Sequence, residues 1–137
     1  MTKELYLNVV YSLRYFFRNI DSDIRWYLDS YNERMTEDEF VEVLTTTRRS
    51  SDDVGRGAIW SDFANVNVYS KTDVASLVAT IVDAIPDMIP IYDFVNNQSD
   101  NVIGYIIRRR VEVNRVPPIE GYQVQNVSLY YDVTERM

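Results

Sequence analysis

Residues 65–85 read NVNVYSKTDVASLVATIVDAI, and this stretch decides the fold. Its first part alternates, with Val66 and Val68 on one side and Asn65 and Asn67 on the other, the period-two pattern of a half-buried strand. Its second part changes period. Val74, Leu77, Val78, Ile81, Val82 and Ile85 recur at spacings of three and four, which lays a broad apolar stripe along a helix. Thr72 or Asp73 supplies the N-cap between the two, and Pro86 stops the helix because it cannot continue the backbone hydrogen bonding.

Towards the N-terminus, Leu5, Val9, Leu13, Phe16, Phe17 and Ile20 predict a first helix, with Thr2 as candidate N-cap and Asp21-Ser22-Asp23 as its end. Ile24 to Tyr31 reads as a strand, with a second short helix as the rival. Asn32 to Asp38 is polar and turn-like, and Phe40 to Thr47 is rich in Val and Thr, which favours a strand. Residues 48–64, RRSSDDVGRGAIWSDFA, carry two glycines, three arginines and three aspartates. They predict a long charged loop, and loops longer than about 12–15 residues are uncommon in compact domains unless they bind something or are disordered.

Towards the C-terminus, Ile91 to Val95 predicts a short strand. A long β-hairpin then occupies 102–134. Ile103, Tyr105, Ile107, Val111 and Val113 share one parity, while Arg108, Arg110, Glu112 and Asn114 share the other. Residues 116–121 make the turn, and Val127, Leu129, Tyr131 and Val133 line one face of the returning strand. The order is helix, strands, helix, strands, without strict βαβ alternation. The predicted class is therefore α+β, a mostly antiparallel sheet packed by two helices.

The hairpin is long for its domain. Val102 to Arg115 is 14 residues, roughly 46 Å at about 3.3 Å per residue. A compact chain of 137 residues has a radius of gyration near 14 Å. Such a hairpin either curves around its own core or projects as an arm that a partner covers. Arg109 adds a related problem, since it shares parity with Ile107 and Val111. A buried guanidinium without a partner is costly, so Arg109 must find a carboxylate, sit at an edge or be displaced by a bulge.

Composition narrows the chemistry. A chain of 137 residues suits one domain, spanning 1–137, and its 46% apolar and 26% charged content is ordinary for a globular protein. There is no cysteine, so no disulfide and no thiolate metal site. There is no histidine, the commonest general base and metal ligand. The net charge of −7 opposes nonspecific binding to nucleic acid and anionic lipid. No run of about 18 apolar residues predicts a membrane span, and the N-terminal stretch lacks the features of a signal peptide. Gly55-Arg56-Gly57 is too short for a phosphate loop or dinucleotide fingerprint. Asp52-Asp53 and Glu37-Asp38-Glu39 lack the spacing of a calcium loop. Arg108-Arg109-Arg110 lies in a strand, where side chains alternate and form no single patch. These features predict a binding or structural protein that is not an enzyme, with no catalytic residues, no metal site and no cofactor.

The residues expected at a subunit interface are Arg48, Arg49, Asp52, Asp53, Arg56, Trp60 and Phe63 of the loop, and Arg109, Ile119 and Tyr122 of the hairpin. Trp60, beside Ile59 and Phe63, is the candidate anchor, because buried Trp often dominates interface energetics.

From about Glu39 to Thr134 the layout resembles the tail terminator and head-completion proteins of tailed bacteriophages. A strand ends in TTTRRSSDD, a polar loop leads into NVNVYSKTD, the helix DVASLVATIVDAI follows at once, and long C-terminal strands close the chain. The resemblance implies a ring, usually of six copies, at the end of the tail tube, joined to tail tube and head-completion proteins. DNA would pass through the lumen without specific binding, and an anionic lumen suits that passage. It implies no catalytic residue, no membrane partner, and a place in the virion after assembly in the bacterial host cytoplasm. A head–tail connector or head-completion adaptor is the neighbouring reading. A small acidic inhibitory binding protein, mimicking nucleic acid, is the reading from another class, although here basic residues interleave with the acidic ones.

Overall fold

The computed structural model describes residues 3–21, 23–28, 37–44 and 60–135. Helix α1 spans Lys3–Arg18 and helix α2 Val74–Ala84. The strands are β1 (Trp26–Leu28), β2 (Glu39–Leu44), β3 (Trp60–Ser70), β4 (Met88–Asp93), β5 (Gln98–Ile119) and β6 (Tyr122–Glu135). They form one sheet in the order β1-β2-β3-β6-β5-β4. Every pairing is antiparallel except that of β1 with β2. The class is α+β, as the change of period at residue 70 predicts.

Both helices cover one face. Val66, Val68, Val127, Leu129, Tyr131 and Val133 are buried there, as their alternation requires. Leu5, Val9, Leu13 and Phe17 of α1 and Val74, Val78 and Ile81 of α2 complete the same core. Phe17 and Leu13 are fully buried, and truncating either to Ala costs about 2–5 kcal/mol.

The junction between β3 and α2 is closed by side chains. Ser70 Oγ accepts from the backbone N–H groups of Thr72 (3.1 Å) and Asp73 (3.0 Å) and donates to Glu39 Oε2 (3.0 Å). Asp73 is the N-cap and accepts from Ser76 N at 3.1 Å. Val74 N donates to Gln123 Oε1 of β6 at 3.3 Å. Helix α1 uses two buried polar residues in a similar way. The register of β4 on β5 shifts on either side of Tyr92, and Ser12 Oγ takes the Tyr92 N–H at 2.9 Å while Asn8 Oδ1 takes that of Val95 at 2.9 Å.

Several boundaries differ from the expected ones. The candidate cap Thr2 and residues 29–36 and 45–59 lie outside the described residues, and the first helix ends at Arg18, before Ile20. The short strand starts at Met88, and Phe94–Asn96 form a 3-10 turn. The strand expected from Asn65 begins at Trp60, so residues 60–64 of the expected loop are sheet. Here the β6 partner decides: Trp60↔Val133 to Ala64↔Leu129 extend the ladder across residues whose own pattern is mixed.

The hairpin shows two further corrections. Strand β5 does not turn at Val116 but runs to Ile119, through Pro117 and Pro118, and the turn is Glu120-Gly121 with φ of 45° and 90°. Consecutive prolines fit there because the register shifts between Val116 and Ile119, at a place where no ladder donor is required. Nor does the hairpin tip project. Strand β3 pairs with β6 from Val133 down to Gln123, so the tip lies beside Ser70 rather than beyond the sheet. Tyr122 is only 1% exposed, packed with Phe40, Tyr69 and Val124 in a second small cluster.

Candidate functional site

A β-bulge at Arg109 organises the open part of β5. Arg108 pairs with Tyr131 and Arg110 with Tyr130, so Arg109 has no position of its own in the ladder. The inserted residue shifts the phase of the strand. Before it, Gly104 and Ile106 face the core; after it, Val111 and Val113 lie opposite Leu129 and Val127. The single parity expected from Ile103 to Val113 is therefore wrong. Ile103, Tyr105 and Ile107 alternate with the core-facing Gly104 and Ile106 and are only half-buried.

The bulge also redistributes the three arginines. Arg108 sits on the helix-bearing face, where its Nη1 donates to the Ile85 carbonyl at 2.9 Å, just past α2. Arg109 reaches Asp132 Oδ1 at 3.5 Å, and Asp132 also accepts from the Ser61 hydroxyl. Arg110 places its guanidinium 4.0 Å from the centroid of the Tyr130 ring and bonds Glu112 through Nε at 2.9 Å. Arg109 and Arg110 thus contact side chains of one face, against the expectation that adjacent arginines would part. Two of the foreseen escapes for Arg109, a bulge and a carboxylate, are both used.

Across the same face the side chains form rows. Phe63 stacks on Tyr130 with centroids 5.3 Å apart, and Arg110 lies on Tyr130 in turn. Two rows further along, Asn67 Nδ2 donates to Glu42 Oε1 (3.3 Å), Asn126 Nδ2 to Asn67 Oδ1 (2.8 Å), and Asn114 Nδ2 to Asn126 Oδ1 (3.4 Å). Each link joins the next strand of the series β2, β3, β6, β5. The aromatic–cation contact is worth about 0.5–1 kcal/mol at such an exposed position.

Strand β5 has 22 residues, and β4 pairs with it only as far as Ile107. The last contact is the Arg108 N–H to the Asp87 carbonyl at 2.9 Å. From Arg109 to Ile119, no strand among the described residues pairs with β5 on the side away from β6. Met88, at the end of β4, is 48% exposed, and Val113, midway along this stretch, is 47% exposed. This edge, with the Arg109–Arg110 row beside it, is the candidate site.

The expected interface residues divide accordingly. Arg109 lies at the edge, half-buried Phe63 stands two strands away in the aromatic row, and half-buried Ile119 packs on the Tyr122 cluster. Tyr122 is corrected: its ring is buried within its own chain, with its hydroxyl on the Glu37 carbonyl, and offers no free surface. Arg48, Arg49, Asp52, Asp53 and Arg56 lie outside the described residues, as does the side chain of Trp60. The sequence reading missed Arg110 and Val113. The length of β5 relative to the short strand before it was their only signal.

Other features are modest. A groove of about 310 Å³ between α1 and β4 is lined by Ser12, Tyr15, Phe16, Ile89 and Tyr92, among others. Among the described residues, no three acidic side chains converge as a metal site would require, and no helix is long and apolar enough to cross a membrane. The buried hydroxyl of Tyr131 has a shifted pKa. Burial, then the charge of Asp62 and the neighbouring Tyr6, hold the Tyr131 hydroxyl well above the ordinary tyrosine value.

No family model matches the chain, and no curated protein matches it. Among solved structures, one chain bearing no functional name aligns over 92% of this chain and 96% of its own, at 13% identity and a TM-score of 0.57. A chain from the "Virion of native gene transfer agent (GTA) particle" aligns over 98% of this chain and 100% of its own, at 14% identity and a TM-score of 0.49. The first likeness shows a shared fold. The second falls below the similarity at which a likeness carries weight.

Proposed function

We propose that this protein is a structural, non-catalytic subunit of a phage-like particle, a tail terminator that forms a ring at the end of the tail tube and joins it to the head. The observation that carries this reading is the half-covered strand β5. Its residues 104–107 are paired on both sides, and its distal half, from Arg109, is paired on one side only among the described residues. A row of unused backbone donors and acceptors beside exposed Val113 and Met88 is a surface that another chain can complete. The layout around NVNVYSKTDVASL, which resembles the tail terminator and head-completion group, supplies the particular assembly.

In this reading the partners are other copies of the chain, the tail tube and the head-completion proteins. DNA passes through the ring without being read, because a chain of net charge −7 repels its backbone. The site of action is the virion. No residue is assigned a catalytic role and no cofactor is invoked. A head–tail connector would share the ring and the edge and differ only in what lies above and below it.

Native mass measurement and negative-stain imaging of the full chain, alone and with tail-tube protein, test the proposal. Closed rings that cap tubes and stop their growth are expected. A chain that stays monomeric at every concentration, and leaves tube length unchanged, would overturn it.

A further inference from the structure

Charge is unevenly divided between the two edges of the sheet. The stretch of β5 beyond the reach of β4, RRRVEVNRVPPI at 108–119, holds four arginines and one glutamate. Arg109 and Arg110 keep side-chain exposures of 58% and 59% even while paired, and Arg115 is exposed. Among the described residues the opposite edge is β1, with β2 beside it. Asp21, Asp23, Glu37, Asp38 and Glu39 flank those two strands, against three cations: Arg25, which already pairs with Glu37 at 3.5 Å, Arg18, which lines the same hollow as Asp23 and Arg25, and Lys71, whose backbone N–H donates to the Asp38 carbonyl. Asp23, Asp38 and Glu39 are exposed. An acidic protein thus presents a basic edge at one end of its strand order and an acidic edge at the other.

We propose that the β5 edge of one copy docks against the β1–β2 edge of the next, as a heterologous, head-to-tail contact between identical chains. The inference deepens the assembly reading above and rests on it. Three observations favour a second copy in this arrangement over other occupants. The two surfaces are complementary in charge and lie on the same chain. A two-fold contact of β5 with β5 would set Arg109, Arg110 and Arg115 against the same residues of the partner, and like charges facing each other cost several kcal/mol. Edges at opposite ends of one sheet repeat the same step from copy to copy, which generates a ring when the rotation closes. The bulge at Arg109 and the prolines at 117 and 118 bound the docking stretch, since neither accepts continued pairing.

The test uses two variants of the full chain, each altered at side chains that hold no part of the core. One carries Arg109→Gln and Arg115→Glu; the other carries Asp23→Lys and Asp38→Lys. Circular dichroism and thermal melts establish that both fold, and sedimentation velocity reads assembly. Each variant alone is expected to associate roughly tenfold or more weakly than the parent. An equimolar mixture is expected to assemble again, because each reversed edge then meets its reversed complement on the other variant. Parent assembly should weaken as salt rises from about 0.05 M to about 0.5 M, as surface charge is screened.

If the parent assembles but either variant matches it, or if the mixture fails to recover, this contact is wrong and the ring reading stands on another surface. Strengthening by the arginine changes, through relief of like-charge repulsion, points to a β5–β5 contact and overturns the head-to-tail arrangement. A parent that never associates removes the ring reading itself.

Discussion

The Tyr122 hydroxyl donates a hydrogen bond of 2.5 Å to the backbone carbonyl of Glu37, 85 positions earlier in the chain. This bond ties the tip of the β5–β6 hairpin to the start of β2, across the end of β3. It adds to the β3–β6 ladder, which already holds the hairpin tip beside Ser70. Tyr122→Phe keeps the ring in its cluster with Phe40 and Tyr69 and leaves a carbonyl without its donor, so a loss of about 1–2 kcal/mol is expected. Tyr122→Ala also empties the cluster and is expected to cost about 3–5 kcal/mol, as for other buried aromatics. Urea titration of the two variants separates the contributions, and a Tyr122→Phe variant as stable as the parent would show that the hydroxyl contributes nothing.

The bulge makes an unusual prediction about deletions. Removing Arg109 lets Arg108↔Tyr131 and Arg110↔Tyr130 become adjacent pairs, and every other residue keeps its face. Only a contact with Asp132 of 3.5 Å is lost. Removing Val111 instead draws Arg110 into the inward position opposite Leu129, which is 1% exposed. An arginine there lacks a partner and is strongly destabilising. The deletion at Arg109 is expected to melt cooperatively within several degrees of the parent, and the deletion at Val111 to lose its cooperative transition. The reverse order would show that the bulge shapes the sheet rather than merely lodging an extra residue.

Ser70 is a single-atom test of the strand-to-helix junction. Its hydroxyl is fully buried and serves two backbone N–H groups and Glu39. Ser70→Ala leaves those donors without an acceptor, and the expected cost is about 1–3 kcal/mol. Asp73→Ala removes only the N-cap bond to Ser76 and should cost about 1 kcal/mol. Chemical denaturation midpoints, compared at constant slope, give both numbers. A Ser70 variant as stable as the parent would remove the junction from the account of the fold.

Tyr131 sets an alkaline limit on stability. Its folded pKa is raised by burial, by Asp62 and by Tyr6, so the native state holds this proton more tightly than the unfolded chain does. The associated stability is present below the unfolded tyrosine value of about 10 and declines as pH rises from there towards the folded value. Tyrosinate absorbance should show the Tyr131 hydroxyl of the folded chain ionising above the ordinary tyrosine value. Tyr131→Phe should flatten the decline in stability above about pH 10, where the tyrosines of the unfolded chain ionise. An unchanged alkaline profile in that variant would assign the limit to another group.

How far the fold could be read from the residues depended on the range of the signal. The two helices and the inner faces of β3 and β6 follow from local periodicity, and Val66, Val68, Val127, Leu129, Tyr131 and Val133 are all buried as that pattern requires. The strand character of residues 60–64 is not local, because the pairing with 129–133 imposes it. The bulge is not local either. Nothing within RRRVEV marks which arginine is the extra one until β6 is laid beside it. The candidate site suffered most, since an edge is defined by where a neighbouring strand stops, and β4 stops at Met88 for reasons in α2 and Pro86 rather than in β5. Five of the ten expected interface residues also fall outside the described residues.

The strand order has a consequence for synthesis. Strand β6 leaves the ribosome after the other five strands of the sheet, yet it lies between β3 and β5 and joins the two halves of the sheet. Until it emerges, β1–β3 and β4–β5 are separate ribbons with their inner faces bare, and each is open to contact with other nascent chains. Closure depends on pairing residues 53 to 73 positions apart, the slow kind of contact. On polysomes crowded with copies of this message, the interval before β6 appears is when the protein is most exposed to misassociation.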